Sequence, residues 1–149
     1  IWTSEGWLYL AVILDLYSCR VIGWAVSNRM KKDLAIRALD MAVALRQPTE
    51  DCIHHTDRGS QYCSNEYQKR LSKHGFKVSM SGKGNCYDNS MVETFFKSIK
   101  AELIWRNRWD TRRQTEGAIF QYINGFYNPR RRHSSLGGKS PLAFERKAA

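Results

Sequence analysis

The chain has no Cys-x-x-Cys pair, no internal repeat and no low-complexity tract in its 149 residues. The first absence removes the spacing of a zinc knuckle and of a dithiol redox motif, leaving Cys19, Cys52, Cys63 and Cys86 as free, largely buried thiols in the plainest reading. The alternative is a zinc site drawing on Cys52, His54 and His55; neighbouring positions on a strand point to opposite faces, which counts against it. Also missing are any run of about 18 apolar residues and an opening basic-then-apolar stretch, so neither a membrane-crossing helix nor a secretory signal is expected, and the protein is read as soluble and cytoplasmic. Acid is scarce: 14 Asp and Glu stand against 24 Lys and Arg, a net charge of +10. Such a balance favours a polyanionic partner, nucleic acid first and an anionic membrane surface second.

The excess is not evenly spread. Residues 1 to 96 hold 12 basic and 10 acidic side chains, and residues 97 to 149 hold 12 and 4, so nearly all of it is C-terminal. The length suits one domain, and 42% hydrophobic residues suffice for a core of normal size.

The patterning is that of an α/β protein. "GWLYLAVILDLYS" is a near-continuous apolar run, as in a central strand covered on both faces, and "RVIGWAVS" comes after a short polar break to make a hairpin. Ile1 to Thr3 fit the stub of another strand. "KKDLAIRALDMAVALR" predicts a helix capped by Asp33, with Leu34, Ala38, Met41 and Leu45 on one face. A short strand "CIHH", a helix "SNEYQKRLSKHG" and a strand "FKVSM" come next. "SGKGNCYDN" has the composition of a surface loop, and it feeds a helix beginning near Asn89. A last helix from about Arg112 to Phe126 should turn Ile119, Tyr122, Ile123 and Phe126 inward, after which the chain reads as irregular and basic. This element order implies a mixed sheet with helices on both faces. Trp2, Trp7, Trp24, Trp105 and Trp109 lie mostly within apolar patterns and are expected to pack in the core.

Two carboxylates draw attention. Asp57 comes after the strand "CIHH" at its C-terminal end, where open α/β sheets present ligands, although an Asp beginning a turn is a sufficient alternative. Glu93 falls in line with Lys97 and Lys100 on one face of the helix "NSMVETFFKSIKAE", beside an apolar stripe of Val92, Phe96, Ile99 and Leu103. Here the plain alternative is a capping box, Ser90-x-x-Glu93, with a solvated polar face. Arg130, Arg131, Arg132 and His133 form the densest positive cluster, interleaved with Tyr127 and Asn128; they suit contacts to a DNA backbone, or else a solvated basic tail.

Four segments together resemble the catalytic core of DDE transposases of the IS3 insertion-sequence family, relatives of retroviral integrases: "GWLYLAVILDLYSCRVIGWAVS", "HHTDRGSQYCS", "GNCYDNSMVETFFKSIKAEL" and "YINGFYNPRRRHSSLGGKSPLAFE". The family separates its second and third carboxylates by thirty-five residues, as Asp57 and Glu93 are separated here, and places a basic residue where Lys100 stands. The resemblance implies an RNase-H-like fold over residues 1–128, with a five-stranded mixed sheet, and then a basic tail over 129–149. It implies that Asp57 and Glu93 ligate Mg²⁺ or Mn²⁺, two ions in the complete site, and that Lys97 and Lys100 hold DNA. The activity implied is cleavage at transposon ends and then strand transfer, by an oligomer. One departure is expected: the family's first Asp belongs to the strand before "GWLYL", upstream of Ile1, and Asp15 matches a position that is not catalytic in the family. A non-catalytic DNA-binding module and a nuclease of the same fold are the rival readings.

The chemistry behind such a triad is general. Phosphodiester transfer needs charge neutralised on the phosphate, an activated oxygen nucleophile and a stabilised leaving oxygen, which two hard cations about 4 Å apart supply together. Hard cations want carboxylate oxygens.

Overall fold

The computed structural model of the chain describes residues 1–15, 17–30, 32–46, 53–56, 69, 73, 77–80 and 90–148. Its centre is an antiparallel hairpin of β3 (Tyr9–Leu14) and β4 (Val21–Ser27), preceded by a short pair, β1 (Trp2–Thr3) with β2 (Gly6–Trp7). Helix α1 (Lys32–Arg46) is next, then a parallel pair, β5 (Ile53–Thr56) with β6 (Lys77–Met80). Antiparallel and parallel pairings thus both occur, as a mixed α/β order requires. Among the described residues the strands form three separate pairs, and the five-stranded sheet expected from the resemblance is not seen as one unit.

Pleating explains why the hairpin is covered twice. Leu10 faces Val26 and Val12 faces Trp24 across one side; Ala11 faces Ala25 and Ile13 faces Gly23 across the other. The first set joins the main core with Phe95 and Ile99 of α2 (Ser90–Glu102) and with Ile119, Tyr122, Ile123 and Tyr127. The second set lies under α1, against Leu34 and Ala38.

Helix α1 does not bury the face the sequence suggests. Leu34 and Ala38 are inside together with Ala35, Ile36, Leu39 and Ala42, while Met41 and Leu45 are exposed. The reason is Gly23: a Cβ built there would strike the Ala38 carbonyl oxygen and the Ala42 side chain, so the backbones touch at a point where only small residues fit. The helix therefore lays its alanines on the hairpin. It also begins at Lys32, placing Asp33 in the first turn, where a carboxylate favours the helix dipole.

After α2 come a 3₁₀ turn (Ile104–Arg106) and a rod made of α3 (Arg112–Phe120), a π-helical segment (Gln121–Tyr127) and a last turn (Asn128–Arg130). Thr111 caps α3, its side chain accepting from the Gln114 N–H. The π segment corrects the expected inward face. Each π turn takes up an extra residue and rotates the rest of the rod, so Tyr127 is buried where Phe126 was expected, and Phe126 is exposed.

The segment after residue 128 is not the irregular tail its composition suggests. A 3₁₀ turn (Ser134–Leu136), a bridge between His133 and Lys139, and helix α4 (Pro141–Ala148) fold it back onto the core. Three fastenings hold it. Asn128 Oδ1 accepts from the Val21 N–H at 2.9 Å, and its Nδ2 donates to the Val21 carbonyl at 3.0 Å. Glu145 accepts from Ser18 and from Arg20 at the hairpin turn. Arg131 forks onto Glu102 at the end of α2, Nε to Oε1 at 2.9 Å and Nη2 to Oε2 at 2.8 Å, and the Tyr122 hydroxyl donates to the same carboxylate.

The Arg131 fork holds the Glu102 carboxyl below its ordinary value of 4.5, aided by the Tyr122 hydroxyl and opposed by partial burial. A carboxylate that is a stronger acid in the folded chain contributes stability that is complete above pH 4.5 and is lost as pH falls through the lowered value. Arg131→Met is expected to cost about 2 kcal/mol at neutral pH and to flatten the loss of stability on acidification, both read by urea titration across pH. Gly23→Ala should cost about 1–3 kcal/mol in the same measurement through overpacking. The control is Gly117→Ala on α3, where an added Cβ meets nothing within 4 Å; it should stabilise by about 0.5–1 kcal/mol.

Candidate active site and nucleic-acid contacts

Helix α2 carries the polar row. Its buried face is Phe95 and Ile99, with Val92, Phe96 and Leu103 packed partly against the main core. Phe95 stands edge-on to Tyr127 at 5.0 Å between ring centroids, which fixes the helix's rotation about its axis. On the opposite side Glu93, Lys97 and Lys100 are all exposed, as the 3.6-residue period requires. Glu93 lies in the first turn and Lys100 in the last.

The capping-box spacing would tie Glu93 back to the helix start. Among the described residues, however, the Glu93 side chain has neither a hydrogen bond nor an ion pair, so its carboxylate is open to solvent.

Asp57, the second expected carboxylate, lies outside the described residues, as does the loop "SGKGNCYDN". In the sequence Asp57 comes directly after Thr56, the last residue of the parallel strand β5. Cys52, Cys63 and Cys86 are likewise outside. Among the described residues no group of three His, Cys, Asp or Glu side chains could hold a metal ion. Asp15 is occupied locally: its Oδ1 accepts from the backbone N–H groups of Tyr17 and Ser18, shaping the hairpin turn.

The basic cluster divides in two. Arg130 and Arg132 are exposed, whereas Arg131 is turned inward to Glu102. His133 packs edge-on to Tyr127 at 5.2 Å, and its Nε2 is buried with no partner among the described residues. Burial, and then the Arg131 charge, hold its imidazole below the ordinary 6.5, so it is neutral at pH 7. Tyr127 and Asn128, which interleave this cluster in the sequence, are both buried. Two of the four expected cationic contacts therefore face the protein.

The tryptophans also divide. Trp24 and Trp109 are buried, but Trp2, Trp7 and Trp105 are 61%, 52% and 73% exposed, contrary to a core role for all five. Their apolar sequence neighbourhood misleads because strand β1 turns Thr3, fully buried, inward and Trp2 outward.

Two family models match the chain, both described as an integrase core domain, one over residues 1–86 and the other over residues 93–148. Transposase InsF for insertion sequence IS3A of Escherichia coli K12 is 51% identical over 145 residues, covering 97% of this chain and 50% of that protein. The insertion element IS600 uncharacterized 31 kDa protein of Shigella sonnei is 47% identical over 145 residues, 97% of this chain and 53% of that protein. The chain thus spans about half the length of the curated relatives it matches. Among solved structures, a chain of the simian T-cell lymphotropic virus intasome in complex with PP2A regulatory subunit B56 gamma superposes with a TM-score of 0.72 at 17% identity, over 97% of this chain and 50% of that one. The catalytic core domain of HTLV-2 integrase, in its trimeric form with magnesium, gives 0.64 at 19% identity, over 91% and 82%. At such identities the likeness is one of fold. The chain belongs to the integrase core domain family.

Proposed function

We propose that this chain is the catalytic core of a DDE transposase, which cuts transposon ends and joins the freed 3′-hydroxyl to target DNA. The observation that carries this reading is the solvent-facing row of Glu93, Lys97 and Lys100 on α2. A carboxylate open to solvent, in line with two ammonium groups, suits a metal-bound phosphate and serves the fold little. Identity of 51% to IS3 transposases supports the same reading.

The donors fit a hard divalent cation, Mg²⁺ or Mn²⁺. Glu93 offers an exposed carboxylate, and Asp57 comes after the C-terminal end of a parallel strand, the usual position for ligand-bearing residues in such sheets. Bound there, two such ions would activate the attacking oxygen and stabilise the leaving one. Lys97 and Lys100 act on the DNA as point charges that hold a phosphate beside Glu93. Arg130 and Arg132 extend the phosphate contacts, while Arg131 and His133 set the path of the segment that presents them. The complete sheet of this reading is the five-stranded one of the RNase-H-like fold. The working form is a homo-oligomer, a dimer or more, that pairs two DNA ends in the bacterial cytoplasm.

In a full-length version that supplies the first Asp, Glu93→Gln is expected to lower metal-dependent cleavage and joining of a transposon-end oligonucleotide by more than about a hundredfold while leaving DNA affinity nearly unchanged. Retained turnover would return Glu93 to a helix-start role. In the same assay, joined products support a transposase, cleavage alone a nuclease, and neither a binding module. Titrating salt tests the cationic contacts: Arg130→Gln and Arg132→Gln should each reduce the slope of log K against log salt by about 0.9 on duplex DNA, and Arg131→Met should not.

A further inference from the structure

The β1–β2 hairpin is built inside out for a hydrophobic protein. Its pairing register sets Trp2 opposite Trp7 and Thr3 opposite Gly6. Thr3 is the buried member, its hydroxyl donating to the Gly6 carbonyl at 2.7 Å and accepting from the Glu5 N–H. Two indoles are left outside, edge to face with 5.0 Å between ring centroids. Core packing accounts for neither, and a pair of large exposed aromatics calls for a partner.

The segment joining α2 to α3 is fastened to this hairpin. The Ser4 N–H donates to the Trp109 carbonyl at 2.9 Å, the Arg112 N–H donates to Glu5 at 2.7 Å, and Arg112 Nε donates to the Trp7 carbonyl at 3.1 Å. Trp109 is buried and its indole N–H bonds the Ile104 carbonyl, which locks the segment's path. From that locked segment Trp105, Arg106 and Arg108 project into solvent, as does Arg113 from the first turn of α3. Residues 104–113 hold four arginines against one aspartate. Ile1, beside the hairpin, and Ile104, in the segment, pack against the same core cluster.

We infer that Trp2, Trp7 and Trp105, with Arg106, Arg108 and Arg113, form a binding surface for single-stranded DNA that uses neither of the expected carboxylates. Unpaired bases stack on the indoles and their phosphates meet the guanidinium groups, with Arg112 acting as the tie that holds hairpin and segment in register. Charge decides the occupant: an arginine-rich aromatic strip suits a polyanion with exposed π faces, and a duplex hides those faces. The choice of DNA rests on the function proposed above; the surface itself does not.

The test is binding of an oligo(dT) of about 16 nucleotides to the full chain, measured by anisotropy and by intrinsic tryptophan fluorescence. The wild-type chain should show quenching and bind the oligomer better than a duplex of equal length. Trp2→Ala and Trp7→Ala should each weaken binding about tenfold, while Trp2→Tyr and Trp7→Tyr, which keep a stacking ring, should stay within about threefold. Arg108→Gln and Arg113→Gln should each lower the salt slope by about 0.7. Unchanged affinity in the alanine variants overturns the inference, as does equal binding of duplex. An alanine variant that converts a dimer to a monomer in sedimentation without altering DNA affinity also overturns it, assigning the hairpin to a second copy of the chain. Glu93→Gln should bind oligo(dT) like the wild type, so failure of the catalytic reading and failure of this one are told apart.

Discussion

A two-stranded ribbon with an apolar side chain at nearly every position cannot stand in water, because each face exposes its own row to solvent. The β3–β4 hairpin is such a ribbon. Leu10, Val12, Trp24 and Val26 demand one cover and Ala11, Ile13, Gly23 and Ala25 another. Helix α1 supplies the second by a close backbone approach over Gly23. The first is supplied by α2 and the rod of α3 and its π segment. The orientation of the α2 polar row is a result of this demand: once Phe95 and Ile99 are committed to the hairpin, the helical period leaves Glu93, Lys97 and Lys100 no direction but outward. Site geometry is thus a by-product of covering a sheet.

Much of this was legible in the residues. The hairpin, the existence of α1 and the exposed α2 row all come from periodicity, since each is a local pattern; the α2 stripe was read only in part, because it left out Phe95, which is fully buried. The misleading features were non-local. Met41 and Leu45 look like core residues until Gly23 brings α1 in so close that only alanines fit between the backbones. Phe126 fits a 3.6-residue face, but the rod contains a π segment, which no composition rule announces, and the face shifts to Tyr127. Trp2 and Trp7 sit in an apolar neighbourhood, yet the register of a two-residue strand turns them out. Of the site, the row was readable because it lies on one helix. The inward turn of Arg131 was not, because its partner Glu102 lies twenty-nine residues away and nothing local pairs them.

The basic C-terminal segment shows how a charge count can overstate a binding surface. Four consecutive candidates, Arg130 to His133, share two occupations: alternate members either hold the segment down or face solvent. Arg131 secures the end of α2 from one side, while Glu145 secures the hairpin turn from another through Ser18 and Arg20. The segment that carries exposed arginines is therefore braced against the element that carries Glu93. A rigid brace of this kind keeps fixed the spacing between cations and carboxylate, which a free tail would lose to conformational entropy.

Asn128 has a consequence of a different sort. Its side-chain amide meets both backbone groups of Val21, donating to one and accepting from the other, as the peptide of an adjoining strand would. A bare position of that kind on β4 invites pairing with a foreign chain, the usual start of edge-to-edge aggregation. The carboxamide occupies it with a mimic too short to propagate a ladder. A single buried asparagine thus takes up on β4 the two backbone groups that a pairing strand would use.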